Sequence, residues 1–351
     1  MQTDRPNSSS SEREAFYRSL APHSLAPLWE VLANLVTPTP STPAVAARWR
    51  FADVRSFLMR AGELITAAEA ERRVLVLENP ALVGQSAITH TLYAGLQLIL
   101  PGEVAPVHRH SQAALRFVME GDGAFTTVNG VRADMHVGDL ILTPGWFWHT
   151  HGNDTDQPMI WLDGLDVPLV SVLDASFSER EPAVPVSGQS DHKKRVPESA
   201  DSGVLRPVRR APVTASSKSP HFVYPYGQWR ESLERMQRSA ECDAHDGFRL
   251  EFMNPADGGS VMPTMSAFCQ LIPKALATRA LRSTDGTVHV VSEGMGSVTI
   301  GGQTFDLLQG DIFIVPSWVP RSFAAATDLV LFSFSDRAAQ QKLSLWREAL
   351  D

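Results

Sequence analysis

The sequence predicts a mainly β protein in which two jelly-roll β-barrels follow an N-terminal α-helical segment. Three observations lead to this prediction. Apolar runs of strand length recur between Gly, Pro, Asn and Asp, the same order of runs returns in the C-terminal half, and the first part of the chain instead shows helical spacing. With 351 residues and 43% hydrophobic content, the chain is long enough for two domains with real cores.

The N-terminal segment shows the 3.6-residue period of amphipathic helices in three stretches. These are 12–20, 25–35 and 51–70. We interpret their apolar stripes, which include Phe16, Trp29, Phe57, Leu58 and Leu64, as packing surfaces and not as cofactor contacts. A further helix is predicted later in the chain, near 227–236.

The next part of the chain alternates in polarity with a period near two. Its apolar runs are 74–80, 89–102, 114–123, 125–139, 140–145 and 159–166. Asn129-Gly130 is a strong hairpin signal within them. Closely spaced strands without intervening helices are typical of an antiparallel barrel of the jelly-roll kind.

A repeat organises the rest of the chain. Glu-Gly-Met-Gly at 293–296 repeats Glu-Gly-Asp-Gly at 120–123, and the run 310–318 repeats the run 138–146. Between the copies lies a stretch rich in Ser, Pro and charge. We therefore predict a helical segment at 1–72, a first barrel at 73–175, a linker and helix at 176–236, and a second barrel at 237–351.

Composition argues against several classes of protein. A formal net charge of −8 and a pI near 5.8 do not suit a nucleic-acid binder, which usually needs a basic face. Two cysteines do not make a disulfide framework, and neither a signal peptide nor a membrane span is evident. We expect a protein of the reducing cytoplasm.

Three histidines have the spacing of metal ligands. His108 and His110 stand two apart, so both leave the same face of a strand, and His149 follows a separate apolar run. Two strands would then direct three imidazoles to one point. The second copy keeps the turn residues but has the neighbourhood of 280–283 and Arg321 at these positions. Because the barrel does not require the histidines, we predict one metal site, in the first barrel.

At this point the sequence resembles a known family. The residues that match the two cupin motifs are Gly102, His108, His110 and Gly121, and then Gly138, Pro144, His149 and Asn153. The two-barrel arrangement is similar to a bicupin. The stretches 108–121 and 142–153 resemble the gentisate 1,2-dioxygenase family of ring-cleaving enzymes, which includes salicylate and 1-hydroxy-2-naphthoate dioxygenases. The resemblance implies ferrous iron as cofactor, dioxygen as co-substrate and a homotetramer.

One departure from the general cupin pattern bears on the chemistry. Cupins usually carry a glutamate shortly after the two histidines, but Ala114 and Leu115 stand there. Three neutral ligands on one face of Fe(II) would leave its +2 charge and three open positions. An aromatic acid with an adjacent hydroxyl could chelate through two of them and dioxygen could take the third.

The expected reaction opens the ring between the carboxyl-bearing and hydroxyl-bearing carbons, and the resemblance implies gentisate as substrate and maleylpyruvate as product. Salicylate and 1-hydroxy-2-naphthoate are alternative substrates. A non-oxidative cupin, either a small-molecule binder or an isomerase, is the alternative from another class.

Further side chains are candidates for the catalytic machinery. Arg116 shares strand parity with the histidines, so it could bind a substrate carboxylate or form an internal pair with Asp139 or Asp163. Arg72 is a second candidate for the carboxylate. His151, two after His149, could be a hydrogen-bond donor or proton carrier near the substrate hydroxyl.

Four more residues complete the predicted pocket. Asp163 could orient a histidine, Arg116 or a second substrate hydroxyl. Trp161 shares its strand face and could line the pocket or belong to the core. By resemblance, Tyr93 and Gln97 are expected to contact the ring substituent, with Tyr93 favouring gentisate over a bicyclic acid.

Overall fold

The computed structural model describes residues 10–180 and 222–350, and the mainly β architecture is confirmed. Two compact units divide the chain after Ser41. The first unit contains α1 (Ser10–Leu20), a short 3₁₀ turn (Ala21–His23) and α2 (Leu28–Leu35). Neither helix has a buried residue, and the Trp29 side chain is 65% exposed. The apolar stripes of α1 and α2 are therefore exposed in the single chain.

The second unit carries five helices among the described residues. They are α3 (Phe51–Leu64), α4 (Ala67–Ala70), α5 (Val167–Val172), α6 (Tyr226–Ser239) and α7 (Arg337–Lys342). The helix predicted at 51–70 is interrupted because Thr66 and Glu69 form a capping box that starts α4 anew. Leu58 is fully buried, whereas Phe57 and Leu64 are mostly exposed. The helix predicted near 227–236 corresponds to α6.

The first barrel consists of two antiparallel sheets. Its strands are β2 (Arg73–Val76), β3 (Tyr93–Ile99), β4 (His108–His110), β5 (Ala114–Glu120), β6 (Phe125–Val128), β7 (Val131–Asp134), β8 (Leu140–Thr143), β9 (His149–Gly152), β10 (Met159–Leu165) and β11 (Ser178–Arg180). The inner sheet runs β8-β5-β10-β3-β2 and the other runs β11-β4-β9-β6-β7. Asn129 and Gly130 form the β6–β7 turn, as predicted.

The second barrel repeats this order. Its strands are β13 (Phe248–Glu251), β14 (Ser266–Ile272), β15 (Leu281–Ser283), β16 (Thr287–Glu293), β17 (Gly296–Ile300), β18 (Gln303–Leu307), β19 (Ile312–Val315), β20 (Arg321–Ala325), β21 (Leu329–Ser335) and β22 (Glu348–Leu350). Even the backbone strain repeats, since Trp146 and Trp318 both adopt a positive φ, 69° and 62°.

The two barrels exchange strands. A short strand before the first barrel, β1 (Ala47–Trp49), pairs with β19 of the second barrel. The strand before the second barrel, β12 (Val223–Tyr224), pairs with β8 of the first. Each inner sheet thus reaches six strands with one contributed from the other half. The first barrel also includes β11, beyond the boundary predicted at residue 175.

The cores of the barrels meet at aromatic contacts such as Phe117 on Phe332, whose rings stack at 4.2 Å. Most of the predicted linker, 181–221, lies outside the described residues. None of the helices in the described part of the chain combines the length and apolar character needed to cross a lipid bilayer.

Candidate metal centre

Strands β4 and β9 bring the three predicted ligand histidines together. His108 pairs directly with His149 across the sheet, and His110 follows on the same face of β4. The ring centroids lie 4.0 Å apart for His108 and His149 and 4.8 Å apart for His110 and His149. One nitrogen of each ring lies within 4.8 Å of those of the others. The three side chains therefore form a single cluster.

Backbone carbonyls determine which nitrogen each ring offers. The Nδ1 atoms of His108, His110 and His149 lie 2.9, 2.9 and 2.8 Å from the carbonyl oxygens of Pro106, Gln112 and Phe147. A carbonyl oxygen can only accept, so each Nδ1 carries the proton and donates it. Every Nε2 is left with its lone pair free.

Electrostatics keeps these rings neutral. Burial, with the nearby Arg72 and Arg116 charges, lowers the pKa of His108 and of His110 to about 4. Burial and Arg116 lower the pKa of His149 further. At neutral pH the cluster thus presents three unprotonated imidazole nitrogens, a donor set that fits a divalent transition metal with open positions.

A cavity of about 270 Å³ opens beside the cluster. The predicted residues on its wall are Arg72, Tyr93, Gln97, His108, His110, Arg116, His149, His151 and Asp163. Trp161 is absent from the wall: it is fully buried, and its ring meets His151 edge-on at 5.7 Å. Its predicted substrate contact is therefore corrected to a core position that supports His151.

Arg116 lies deep in the barrel and is held by three neighbours. It donates to Thr143 Oγ1 at 2.6 Å and to His151 Nε2 at 3.1 Å. Its Nε lies 3.3 Å from Asp163 Oδ1, so the internal pair considered from the sequence is formed with Asp163 and not with Asp139. Within the described residues, neither Arg116 Nε nor Asp163 Oδ1 has a hydrogen-bond partner of good geometry. Both atoms are buried.

His151 is a buried neutral acceptor. Arginine only donates, so the contact with Arg116 requires a lone pair on Nε2, and the proton then lies on Nδ1, 3.1 Å from Thr126 Oγ1. Burial and Arg116 hold the pKa of His151 well below its usual range. Since its Nε2 is engaged, His151 does not compete with His149 for a metal.

The two remaining charged residues of the site, Asp163 and Arg72, differ in exposure. Burial raises the pKa of Asp163 to about 6 against the opposing effect of Arg116. Arg72 is exposed at the mouth of the cavity, and its guanidinium has no hydrogen bond or ion pair within the part of the chain that the structure describes. An uncommitted cation thus borders a site with three neutral ligands.

Sequence reasoning missed several residues of the site. Those on the cavity wall are Val74, Gln112, Ala114, Leu165 and Val167. Ala114 could have been found, since it shares the strand parity that indicated Arg116. Thr126 and Thr143, which bond to His151 and Arg116, carry no signal in a single sequence because their partners lie on other strands.

Comparisons with known proteins agree with this geometry. The family model of the cupin domain matches residues 95–166. The chain is 51% identical to gentisate 1,2 dioxygenase 1 of Aquipseudomonas alcaligenes, over 96% of each protein. It is 32% identical to 1-hydroxy-2-naphthoate 1,2-dioxygenase of Nocardioides sp. (strain KP7), over 95% of this chain and 87% of that protein. Salicylate 1,2-dioxygenase of Pseudoaminobacter salicylatoxidans, solved with gentisate, superposes with a TM-score of 0.83 at 35% identity, covering 100% and 96% of the chains.

Proposed function

Because this chain belongs to the gentisate 1,2-dioxygenase family, we propose that it uses dioxygen to open the ring of a hydroxylated aromatic carboxylate. Cleavage falls between the carboxyl-bearing and hydroxyl-bearing carbons, and both oxygen atoms end in the product. Gentisate, giving maleylpyruvate, is the first-choice substrate. The observation that carries this proposal is the cluster of three neutral imidazoles beside a cavity bordered by Arg72, with no carboxylate in the cluster among the residues that the structure describes.

Ferrous iron is the metal we propose for His108, His110 and His149. Imidazole nitrogens alone suit several metals, so the choice of iron rests on the activity of the family. When bound, Fe(II) supplies the electron chemistry that allows dioxygen to react with an aromatic ring. The protein's contribution is to hold three Nε2 lone pairs in place and to keep them unprotonated.

Arg72 is our candidate for the substrate carboxylate. An arginine without an internal partner can form a bidentate pair with an incoming carboxylate without breaking an existing bond. The sequence ranked Arg116 ahead of Arg72 for this role. We reverse the order because Arg116 is already committed to Thr143, His151 and Asp163.

Arg116 and His151 have a joint role in this proposal. Arg116 donates to Nε2 of His151 and so holds this ring in the form with its proton on Nδ1. Because the Nε2 lone pair is taken up by this bond, we assign His151 to orienting Arg116 and not to accepting the proton of a substrate hydroxyl. Asp163, which lines the cavity, balances the charge of Arg116.

Tyr93 and Gln97 line the cavity, and we propose that they limit the room for the substrate ring. The Tyr93 hydroxyl lies over Gly95, where an added Cβ would be only 2.8 Å from its oxygen. We propose that this wall accommodates a single ring with a small polar substituent. 1-Hydroxy-2-naphthoate and salicylate are the competing substrates.

Oxygen uptake tests the proposal. Protein loaded anaerobically with Fe²⁺ is mixed with gentisate, salicylate or 1-hydroxy-2-naphthoate, and uptake is followed together with the ultraviolet absorbance of the ring-opened product. We expect one O2 per gentisate and slower turnover of the other two acids. Binding of all three acids without oxygen uptake would instead indicate a non-oxidative binding protein.

A further inference from the structure

The peptide unit between Gln112 and Ala113 is hydrogen-bonded at both ends. Its carbonyl oxygen accepts the proton of His110 Nδ1 at 2.9 Å, and its N–H donates to Asp166 Oδ1 at 2.9 Å. One peptide thus separates a carboxylate from an imidazole of the metal centre. Hydrogen bonds in such a chain polarise one another in the same sense, because the negative charge at the N–H makes the carbonyl oxygen a better acceptor.

Asp166 is well placed to act through this peptide. It lies at the start of α5, only 2% of its surface is exposed, and it does not line the cavity. Its second oxygen accepts from Thr264 Oγ1 at 2.5 Å. Thr264 precedes β14 and belongs to the second barrel, so the chain of hydrogen bonds starts in one barrel and ends at a ligand histidine of the other.

The second barrel contains a copy of this bridge without a metal ligand. Asp336 accepts from the Gly286 N–H at 3.1 Å, and from Thr91 Oγ1 of the first barrel at 2.9 Å. Strand order makes Ser283 the counterpart of His110, so no imidazole lies at the end of this chain. The copy joins the two barrels in the same way, but it ends at a serine and not at a histidine. A comparison of the two bridges can therefore separate an effect on the metal ligand from an effect on the contact between the barrels.

We propose that Asp166 is a positioning residue for the metal centre, acting on His110 through the Gln112–Ala113 peptide. Its charge strengthens the His110 Nδ1–H to carbonyl bond, which fixes the ring and makes Nε2 a stronger donor to the metal. Thr264 holds the carboxylate and thereby gives the second barrel a role in the chemistry of the first. This inference rests on the proposed metal site.

The test compares two matched substitutions, Asp166→Asn and Asp336→Asn. In each, the amide oxygen can still accept from the backbone N–H and the NH2 group can donate to the threonine, so the charge is the main loss in Asp166→Asn. Asp336→Asn also loses the hydrogen bond that Gln340 Nε2 donates to Asp336 Oδ2 at 3.1 Å, which makes it the more disruptive change and a stringent control. The dissociation constant for Fe²⁺, and separately for Zn²⁺, is measured anaerobically by competition with a chromophoric chelator. We expect the metal to bind about 10-fold more weakly in Asp166→Asn, which is the lower end of the range for residues that hydrogen-bond to metal ligands. Metal binding should be unchanged in Asp336→Asn.

A spectroscopic readout separates this effect from a general loss of structure. In Co²⁺-loaded protein the visible d–d bands should shift in Asp166→Asn and not in Asp336→Asn, while both variants keep a cooperative melting transition. Thr264→Val and Thr91→Val form a second pair that keeps the test decisive if Asp166→Asn does not fold. We expect weaker metal binding in Thr264→Val alone.

Three outcomes would overturn the inference. Wild-type affinity in Asp166→Asn would show that the charge has no effect on the ligand. Equally weakened metal binding in both variants of a matched pair would assign the effect to the contact between the barrels and not to His110. Failure of the unmodified protein to bind either metal would remove the metal site itself, and the proposed function would then fall together with this inference.

Discussion

The two barrels place different chemistry at the same point of the same frame. In the first barrel His108 faces His149 across the sheet, and in the second Leu281 faces Arg321 in the equivalent register. The cavity beside the histidines measures about 270 Å³, whereas the corresponding cavity beside Arg321 measures about 10 Å³. The cavity beside Arg321 therefore has space for about one water molecule.

Arg321 explains much of this closure. It donates to the carbonyl oxygen of His245 at 3.0 Å, pairs with Asp246, and lies over the ring of Phe323 at 5.0 Å. Phe323 is the counterpart of His151 by strand position. The second barrel thus satisfies its interior charge within the chain, while the first leaves lone pairs and a free arginine for a ligand. The interior of a jelly-roll barrel can therefore hold polar side chains that are paired within the chain and polar side chains that remain open to a ligand.

The largest effect is expected at the equivalent positions 149 and 321, where the two barrels differ. His149→Ala removes one of three ligands, so it should weaken Fe²⁺ binding by more than the roughly 100-fold loss seen when a residue that hydrogen-bonds to a ligand is replaced. It should also abolish gentisate-dependent oxygen uptake. Arg321→Ala is the matched control and should retain full metal binding in the folded protein. Metal titration of both variants checks this, and equal losses would contradict the assignment of one metal site.

The second effect concerns stability. Arg321→Met removes one of the two arginine partners of the largely buried Asp246 and leaves Arg249, so it should reduce the free energy of unfolding by about 1.5–3 kcal/mol. Urea denaturation of the metal-free protein measures it. The variant Arg48→Met, at an exposed backbone contact of the same barrel, controls for loss of an arginine. A loss below about 1 kcal/mol, typical of surface pairs, would contradict the buried-pair description.

The third prediction sharpens the contrast at the mouth of the cavity, where the second barrel has Gly247 in the place of Arg72. A hydrogen bond to a charged group contributes about 1.5–3 kcal/mol, so Arg72→Ala should raise KM for gentisate about 10- to 100-fold with a smaller change in kcat. Steady-state oxygen uptake measures both constants. Arg180→Ala, which removes a nearby exposed arginine outside the cavity, should leave KM unchanged. An equal rise in both variants would indicate long-range charge and not contact.

The smallest effect is a difference in pH dependence between the two buried carboxylates. Burial raises the pKa of Asp163 to about 6, so its contribution to stability is complete below its ordinary pKa and is lost as pH rises through 6. Burial alone would raise the pKa of Asp246, but Arg321 and Arg249 outweigh it and hold that pKa well below its usual range. Its contribution is present above the ordinary pKa and is lost as pH falls.

Two asparagine variants test these opposite signs in metal-free protein. The stability of Asp163→Asn relative to the unmodified protein should increase by about 1–2 kcal/mol between pH 4 and pH 7. The stability deficit of Asp246→Asn should shrink as pH falls below 4. Denaturation at a series of pH values checks both, and parallel curves for either variant would show that its pKa is not shifted as described.

Spacing along the sequence was sufficient to predict the histidine cluster of the candidate site, since His108 and His110 share a strand and His149 follows a separate apolar run. The repeat also predicts Arg321 as the counterpart of His149, which agrees with the pairing of β15 with β20. Parity within a strand also indicated Arg116 and Asp163. It could not say whether Arg116 was free or paired, because that depends on side chains of three different strands.

Other features have no local signature. Trp161 alternates correctly for the cavity wall, but the depth of the barrel at that point places it behind His151. Nothing near Asp166 in the sequence indicates a bond to Thr264, which lies almost a hundred residues further along the chain. Helical spacing suggested a packing role for the α1 and α2 stripes, yet periodicity reports which residues share a face and not whether that face is covered.

The strand exchange through β1 and β12 has a consequence for dividing the protein or its gene. A fragment that stops before Val223 leaves one edge of β8 unpaired, and a fragment that begins after Trp49 leaves the same edge of β19 open. Open edges pair with other chains, so separately expressed halves should self-associate instead of folding as monomers. This arrangement makes deletion of either barrel costly, although among the described residues only the first barrel carries the histidine cluster.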